Sequence, residues 1–193
     1  MSERMRCFVA VRFSDELVAS LDDLTRALRR KLDPHELFKW VAADKIHLTL
    51  QFLGDVDAGL VPKLAGGLSG AFADIGPFEV ALAGAGAFPS ASRPRVLWTA
   101  VHRGADGLKA LHSATVQITE GFGFEPEQRP FQPHATLARL RRKKKAPDLS
   151  KEIAGFADRQ AGGCQIGAVD LIRSQLRPDG PVYTTLDSFP LGR

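Results

Sequence analysis

The chain has 193 residues, 44% hydrophobic and 25% charged, which supplies the core of one globular unit and excludes a disordered, collagen-like or membrane-embedded polypeptide. The net charge is +4, yet Arg139, Arg141, Arg142, Lys143, Lys144 and Lys145 together exceed it, so the basicity is one local patch on an otherwise slightly acidic protein. No apolar run approaches the ~18 residues of a spanning helix, and residues 1–6 lead only into a short apolar segment, so neither a membrane association nor a signal peptide is expected and the cytoplasm is the expected location.

In chain order, residues 7–13 are rich in Val and Phe and predict a strand. Ser14 then offers an N-cap, Asp15 and Glu16 fill a first turn, and Leu17, Leu21, Leu24 and Leu28 recur at helical spacing to about Leu32. Asp33-Pro34 breaks this helix. A short strand over 38–41 and a stronger one over 46–53 follow, the latter expected to stop at Gly54. A helix is predicted over 57–72 and strands over 78–82 and 96–101. A further helix over 104–119 carries Leu108, Leu111, Thr115 and Ile118 on one face, with Gly121 and Gly123 ending it.

A Pro-flanked stretch, 125–133, precedes a strand over 134–140, then the basic run as an exposed loop and a short helix over 149–156. Two closing strands are predicted, 165–176 and 183–189, separated by the turn Pro178-Asp179-Gly180-Pro181. Helices alternating with strands and hairpins predict an α+β protein with an antiparallel or mixed sheet, in which residues 1–193 form a single domain of two interleaved lobes. Cys7 and Cys164 lie beside apolar residues, without the partners that a metal or redox motif requires, and are read as buried thiols. His35, His102 and His112 are read as ordinary surface or helix residues.

One short sequence occurs twice: His47-Leu48-Thr49-Leu50 and His134-Ala135-Thr136-Leu137, each followed by a second Leu three residues on, at Leu53 and Leu140. Alternate side chains of a strand share a face, so each copy presents one imidazole and one hydroxyl together. If the fold brings the two strands side by side, one imidazole can act as base and the other as acid. The hydroxyls can donate to the non-bridging oxygens of a phosphodiester. Arg139 adds a positive charge for the transition state. Strict alternation, however, turns Arg139 away from His134 and Thr136, so its participation requires the strand to bulge or end near Ala138. Metal ligation is disfavoured, because neither copy offers His-x-His or a third ligand at matching spacing.

With these motifs the sequence resembles the 2H phosphoesterase superfamily, and within it the RNA 2′,3′-cyclic phosphodiesterases, also called 2′-5′ RNA ligases. Arg6-Cys7-Phe8-Val9-Ala10, Phe52-Leu53-Gly54, Gly86-Ala87-Phe88-Pro89, Pro94-Arg95-Val96-Leu97-Trp98 and Phe131-Gln132-Pro133 extend the resemblance along nearly the whole chain. The resemblance implies two pseudo-symmetric lobes around a central cleft, helices on the outer faces, and no metal or other cofactor. It implies hydrolysis of RNA 2′,3′-cyclic phosphate ends to 2′-phosphomonoesters, with His47 as the general acid at O3′, His134 as the general base, and Thr49, Thr136 and Arg139 holding the phosphate.

Phe8 is a candidate base-stacking residue, and Arg141, Arg142, Lys143, Lys144 and Lys145 are candidate RNA-backbone contacts. The expected partner is RNA bearing 2′,3′-cyclic phosphate ends, and the expected state is a monomer. Two other readings stand beside this one: the reverse 2′-5′ ligation, against which water at ~55 M competes unless a bound RNA pre-positions its 5′-hydroxyl, and a non-catalytic RNA-binding protein.

Overall fold

A computed structural model describes residues 3–178 and 180–192. The opening strand β1 (Arg4–Val11) alternates between two faces: Cys7, Val9 and Val11 enter the main core, whereas Phe8 and Ala10 join a small cluster with Ile172 and Tyr183 on the other side. Helix α1 (Asp15–Leu32) begins where Ser14 accepts the Leu17 N–H, carries acids in its first turn and Arg29, Arg30 and Lys31 in its last, and buries Leu17, Leu21, Leu24, Leu28 and Leu32. Full burial of each such leucine contributes roughly 1.5–3 kcal/mol.

The remaining elements are β2 (Phe38–Trp40), β3 (Leu48–Asp57), α2 (Val61–Phe72), β4 (Phe78–Phe88), β5 (Val96–Arg103), α3 (Ala105–Glu120), β6 (His134–Leu140), α4 (Ser150–Ala154), β7 (Gln160–Ile166), β8 (Ala168–Arg177) and β9 (Gly180–Pro190). They build one nine-stranded sheet in the order β7-β4-β5-β6-β3-β1-β8-β9, with β2 added beside β6. The pairs are antiparallel. The architecture is α+β, as the alternation of elements predicts. The two halves of the sheet, β7-β4-β5-β6 and β3-β1-β8-β9, meet through the pairing of Leu48 with Ala135.

The structure corrects several sequence-based boundaries. Gly54 does not end β3: with φ of 70° it stays in the strand opposite Cys7, and pairing continues to Asp57. The helix expected from residue 57 starts with a 3-10 turn at Ala58–Leu60 and becomes α-helical at Val61, with Pro62 in the first turn where its missing N–H costs nothing. The single strand expected over 165–176 is two strands joined by Gly167, and β7 lies at one edge of the sheet while β8 lies near the other. A one-residue link leaves Ile166 and Ala168 only about 7 Å apart. The sheet therefore curls until its two ends approach.

At the 178–181 turn, Asp179 lies outside the described residues, and β8 and β9 pair as a hairpin down to Arg177 with Gly180. Cys7 is buried, which pushes its thiol up to about 11, whereas Cys164 is half-buried. Among the described residues no helix is long and apolar enough to cross a membrane.

Candidate active site

The two repeated motifs meet at the junction of the half-sheets. Leu48 and Ala135, their middle residues, are antiparallel partners and fully buried, so His47 lies toward Thr136 and Thr49 toward His134. In an ideal ladder, such a diagonal pair as His47 and His134 is separated by roughly 7–8 Å, enough to admit a phosphate group between them.

Both histidines are oriented in the same way. His47 Nδ1 lies 2.8 Å from the carbonyl of Lys45, and His134 Nδ1 lies 2.7 Å from the carbonyl of Gln132, in each case two residues upstream. A carbonyl oxygen can only accept, so Nδ1 carries the proton in both rings and Nε2 is left to exchange a proton with a ligand. Aromatic rings hold the imidazoles further. Phe8 stacks on His47 at 4.9 Å and Tyr183 meets it edge-on at 5.4 Å, while Phe88 and Trp98 meet His134 at 4.9 and 6.1 Å. Gly86 leaves the space that the Trp98 indole occupies, because a Cβ there would lie 2.3 Å from it.

Each motif also carries a β-bulge at the leucine that follows its Thr. On β1, Val9 and Ala10 pair with Gln51 and Thr49, so Leu50 has no opposite residue; on β5, Leu97 and Trp98 pair with Ala138 and Thr136, so Leu137 has none. The extra residue reverses the alternation. Leu50 and Gln51, like Leu137 and Ala138, are both buried. The next residues, Phe52 and Arg139, return to the face of the histidines, in register with Phe8 and Val96. The bulge that Arg139 requires is thus present, one residue before Ala138, and Arg139 acts electrostatically on His47, His134 and Tyr183. Its counterpart in the first motif is Phe52, 54% exposed.

The electrostatics distinguish the two imidazoles. Burial lowers both below the ordinary histidine value, and Arg139 lowers both further. Arg12 adds to the depression at His47, whereas Glu127 works the other way at His134. Burial also raises the Tyr183 hydroxyl.

Other sequence-based expectations change on contact with the structure. Phe8 is only 2% exposed, its ring packed among His47, Phe52 and Tyr183, so it props an imidazole and offers no free face to a base. The exposed aromatic is Phe52. Within the basic run, the Arg141 side chain donates to the Glu36 carbonyl at 3.0 Å and its N–H donates to Leu37, so it ties the loop to the α1–β2 connection; Arg142, Lys143, Lys144 and Lys145 are exposed. Nothing in the spacing of Tyr183, Trp98, Phe88 and Arg12 relates them to either histidine, so only the folded structure brings them to the site.

Comparisons with known proteins place the chain in a family. The family model described as the 2′-5′ RNA ligase superfamily matches residues 10–177. The chain is similar to an RNA 2′,3′-cyclic phosphodiesterase of Aeropyrum pernix, 34% identical over 148 residues that cover 77% of this chain and 83% of that protein. Among solved structures it is similar to TT0787 of Thermus thermophilus, with a TM-score of 0.80 and 29% identity over 98% of this chain and 100% of the other. It is also similar to E. coli LigT complexed with 3′-AMP, with a TM-score of 0.77 and 27% identity over 99% and 100% of the two chains. With its paired histidines meeting across one backbone bridge and a family match spanning most of its length, the chain belongs to the 2′-5′ RNA ligase superfamily.

Proposed function

We propose that the protein hydrolyses 2′,3′-cyclic phosphate ends of RNA to 2′-phosphomonoesters, without a metal ion. The observation that carries this reading is the pair of imidazoles anchored through Nδ1 across the Leu48–Ala135 pairing, with Thr49 and Thr136 between them. In the proposed step, His134 Nε2 takes a proton from water as its oxygen bonds to phosphorus. The P–O3′ bond breaks on the opposite side, and His47 Nε2 delivers its proton to O3′. Thr49, Thr136 and Arg139 stabilise the charge that builds on the non-bridging oxygens.

One asymmetry supports this assignment of acid and base. The exposed Phe52 ring beside Phe8 forms an aromatic platform on the His47 side, where the ribose that carries O3′, and its base, would lie. The names of the relatives, RNA 2′,3′-cyclic phosphodiesterases, and the 3′-AMP bound to E. coli LigT point to the same chemical class.

Incubation of the purified protein with an RNA ending in a 2′,3′-cyclic phosphate, in excess EDTA, tests this proposal. A 2′-phosphomonoester end is the expected product. A 3′-phosphomonoester, no turnover, or turnover restored only by a divalent ion would overturn it.

A further inference from the structure

The carbonyls of the two bulged leucines are held in different ways. In the second motif, the Leu137 carbonyl accepts the Val41 backbone N–H at 2.8 Å, directly after β2, the short strand that flanks β6. Among the described strands, the neighbours of β3 are β1 and β6, and none corresponds to β2. Its Leu50 carbonyl instead lies 2.9 Å from Nδ1 of His112, a side chain from α3. Because the carbonyl can only accept, His112 holds its proton on Nδ1 and donates it there. Thr119, seven residues further along the same face of α3, donates to Oε1 of Gln51 at 2.8 Å. Two consecutive residues of the first bulge are therefore fixed by one helix.

The same imidazole reaches toward the second motif. Its face lies on the Phe131 ring, with centroids 4.1 Å apart and planes 8° from parallel. Phe131 immediately precedes Gln132, whose carbonyl orients His134. His112 thus touches the support of both motifs.

We propose that His112, read from sequence as an ordinary helix residue, is a positioning residue for the phosphodiesterase reaction. Its side chain does for the Leu50 bulge what the Val41 backbone does for the Leu137 bulge. That bond keeps Thr49 and Phe52 turned to the face of the histidines, and the stack on Phe131 ties the first motif to the segment that sets His134. Misplacement of reacting groups by about 1 Å costs roughly a hundredfold in rate, so a support of this kind acts mainly on kcat. This inference rests on the roles proposed above for His47 and His134.

The test compares three variants on a 2′,3′-cyclic mononucleotide, with circular dichroism and melting curves for each. His112→Phe keeps the stacked ring and loses the donor, His112→Ala loses both, and His112→Asn keeps an N–H at the place of Nδ1. The Phe and Ala variants should lose about 10–100-fold in kcat with KM changed less than about threefold, and Asn should recover most of the loss. Full kcat in folded His112→Ala and His112→Phe, or no recovery in His112→Asn, would overturn the inference and assign the bond to fold stability alone. Should the Phe and Ala variants unfold, Phe131→Leu carries the test: lower kcat at constant KM supports the link, and unchanged kcat overturns it. His47→Ala runs in parallel, because activity that survives it would instead refute the proposed roles of the histidines.

Discussion

Leu48 and Ala135, each the middle residue of a His-x-Thr motif, are backbone partners at the junction of the two half-sheets. Neither side chain reaches the site, since both point into the core. Their pairing nevertheless sets which imidazole lies opposite which hydroxyl, and a slip of one residue would turn every motif side chain to the wrong face.

The paired geometry makes the two histidines one unit. His47→Ala and His134→Ala should each lower kcat by roughly 10²–10⁴, the usual contribution of a positioned acid or base. The double variant should lose less than the product of the single losses, because both groups serve one step. Single-turnover kinetics on a cyclic mononucleotide check this, and a single variant with unchanged kcat would break the pairing.

Arg139 gives the pH profile a sign. After burial, its positive charge is a shared cause that holds both imidazoles below the ordinary value, because a nearby cation disfavours the imidazolium. Arg139→Gln should therefore raise both values and shift both limbs of the kcat/KM bell to higher pH, while its maximum falls roughly 10²–10³-fold. A lower maximum on an unshifted profile would place the guanidinium away from the rings.

Phe52 and Phe8 should separate binding from chemistry. Phe52→Ala removes the exposed platform, and loss of a stacked base costs about 1–3 kcal/mol, so KM should rise roughly tenfold or more with kcat little changed. Phe8→Leu removes the ring that supports His47 and should lower kcat instead. Steady-state kinetics with a cyclic nucleotide and with a cyclic phosphate lacking a base distinguish the two, and equal effects on both substrates would argue against stacking at Phe52.

The basic run serves a longer substrate if it serves RNA at all. Arg141 is engaged with Glu36, so the informative variant replaces Arg142, Lys143, Lys144 and Lys145 with Ser and leaves Arg141 in place. Each phosphate contact to a single strand contributes about −0.7 to the slope of log K against log salt. Oligonucleotide binding should weaken and its salt slope flatten by about one unit or more, with hydrolysis of a cyclic mononucleotide unchanged. Fluorescence titration across salt concentrations measures the slope, and an unchanged slope would leave the run as a solvated loop.

The sequence by itself determined the elements whose signals are local. Ser14 and the leucines after it specify α1 through capping and a 3.6-residue stripe, and the twofold occurrence of His-x-Thr-Leu specifies both motifs. Period-two alternation also shows that each His shares a face with its Thr. Tertiary structure decided what depends on partners distant in the chain. Gly167 cannot reveal locally that the strands it joins belong to opposite halves of the sheet, because the order of strands is set by burial of the whole core. The bulges at Leu50 and Leu137 arise from mismatched register with β1 and β5, so the turning of Phe52 and Arg139 toward the histidines is invisible to strict alternation. His112 reads as an ordinary helical residue until α3 packs on β3 and its Nδ1 meets the Leu50 carbonyl, 62 residues away, because that bond depends only on separation in space.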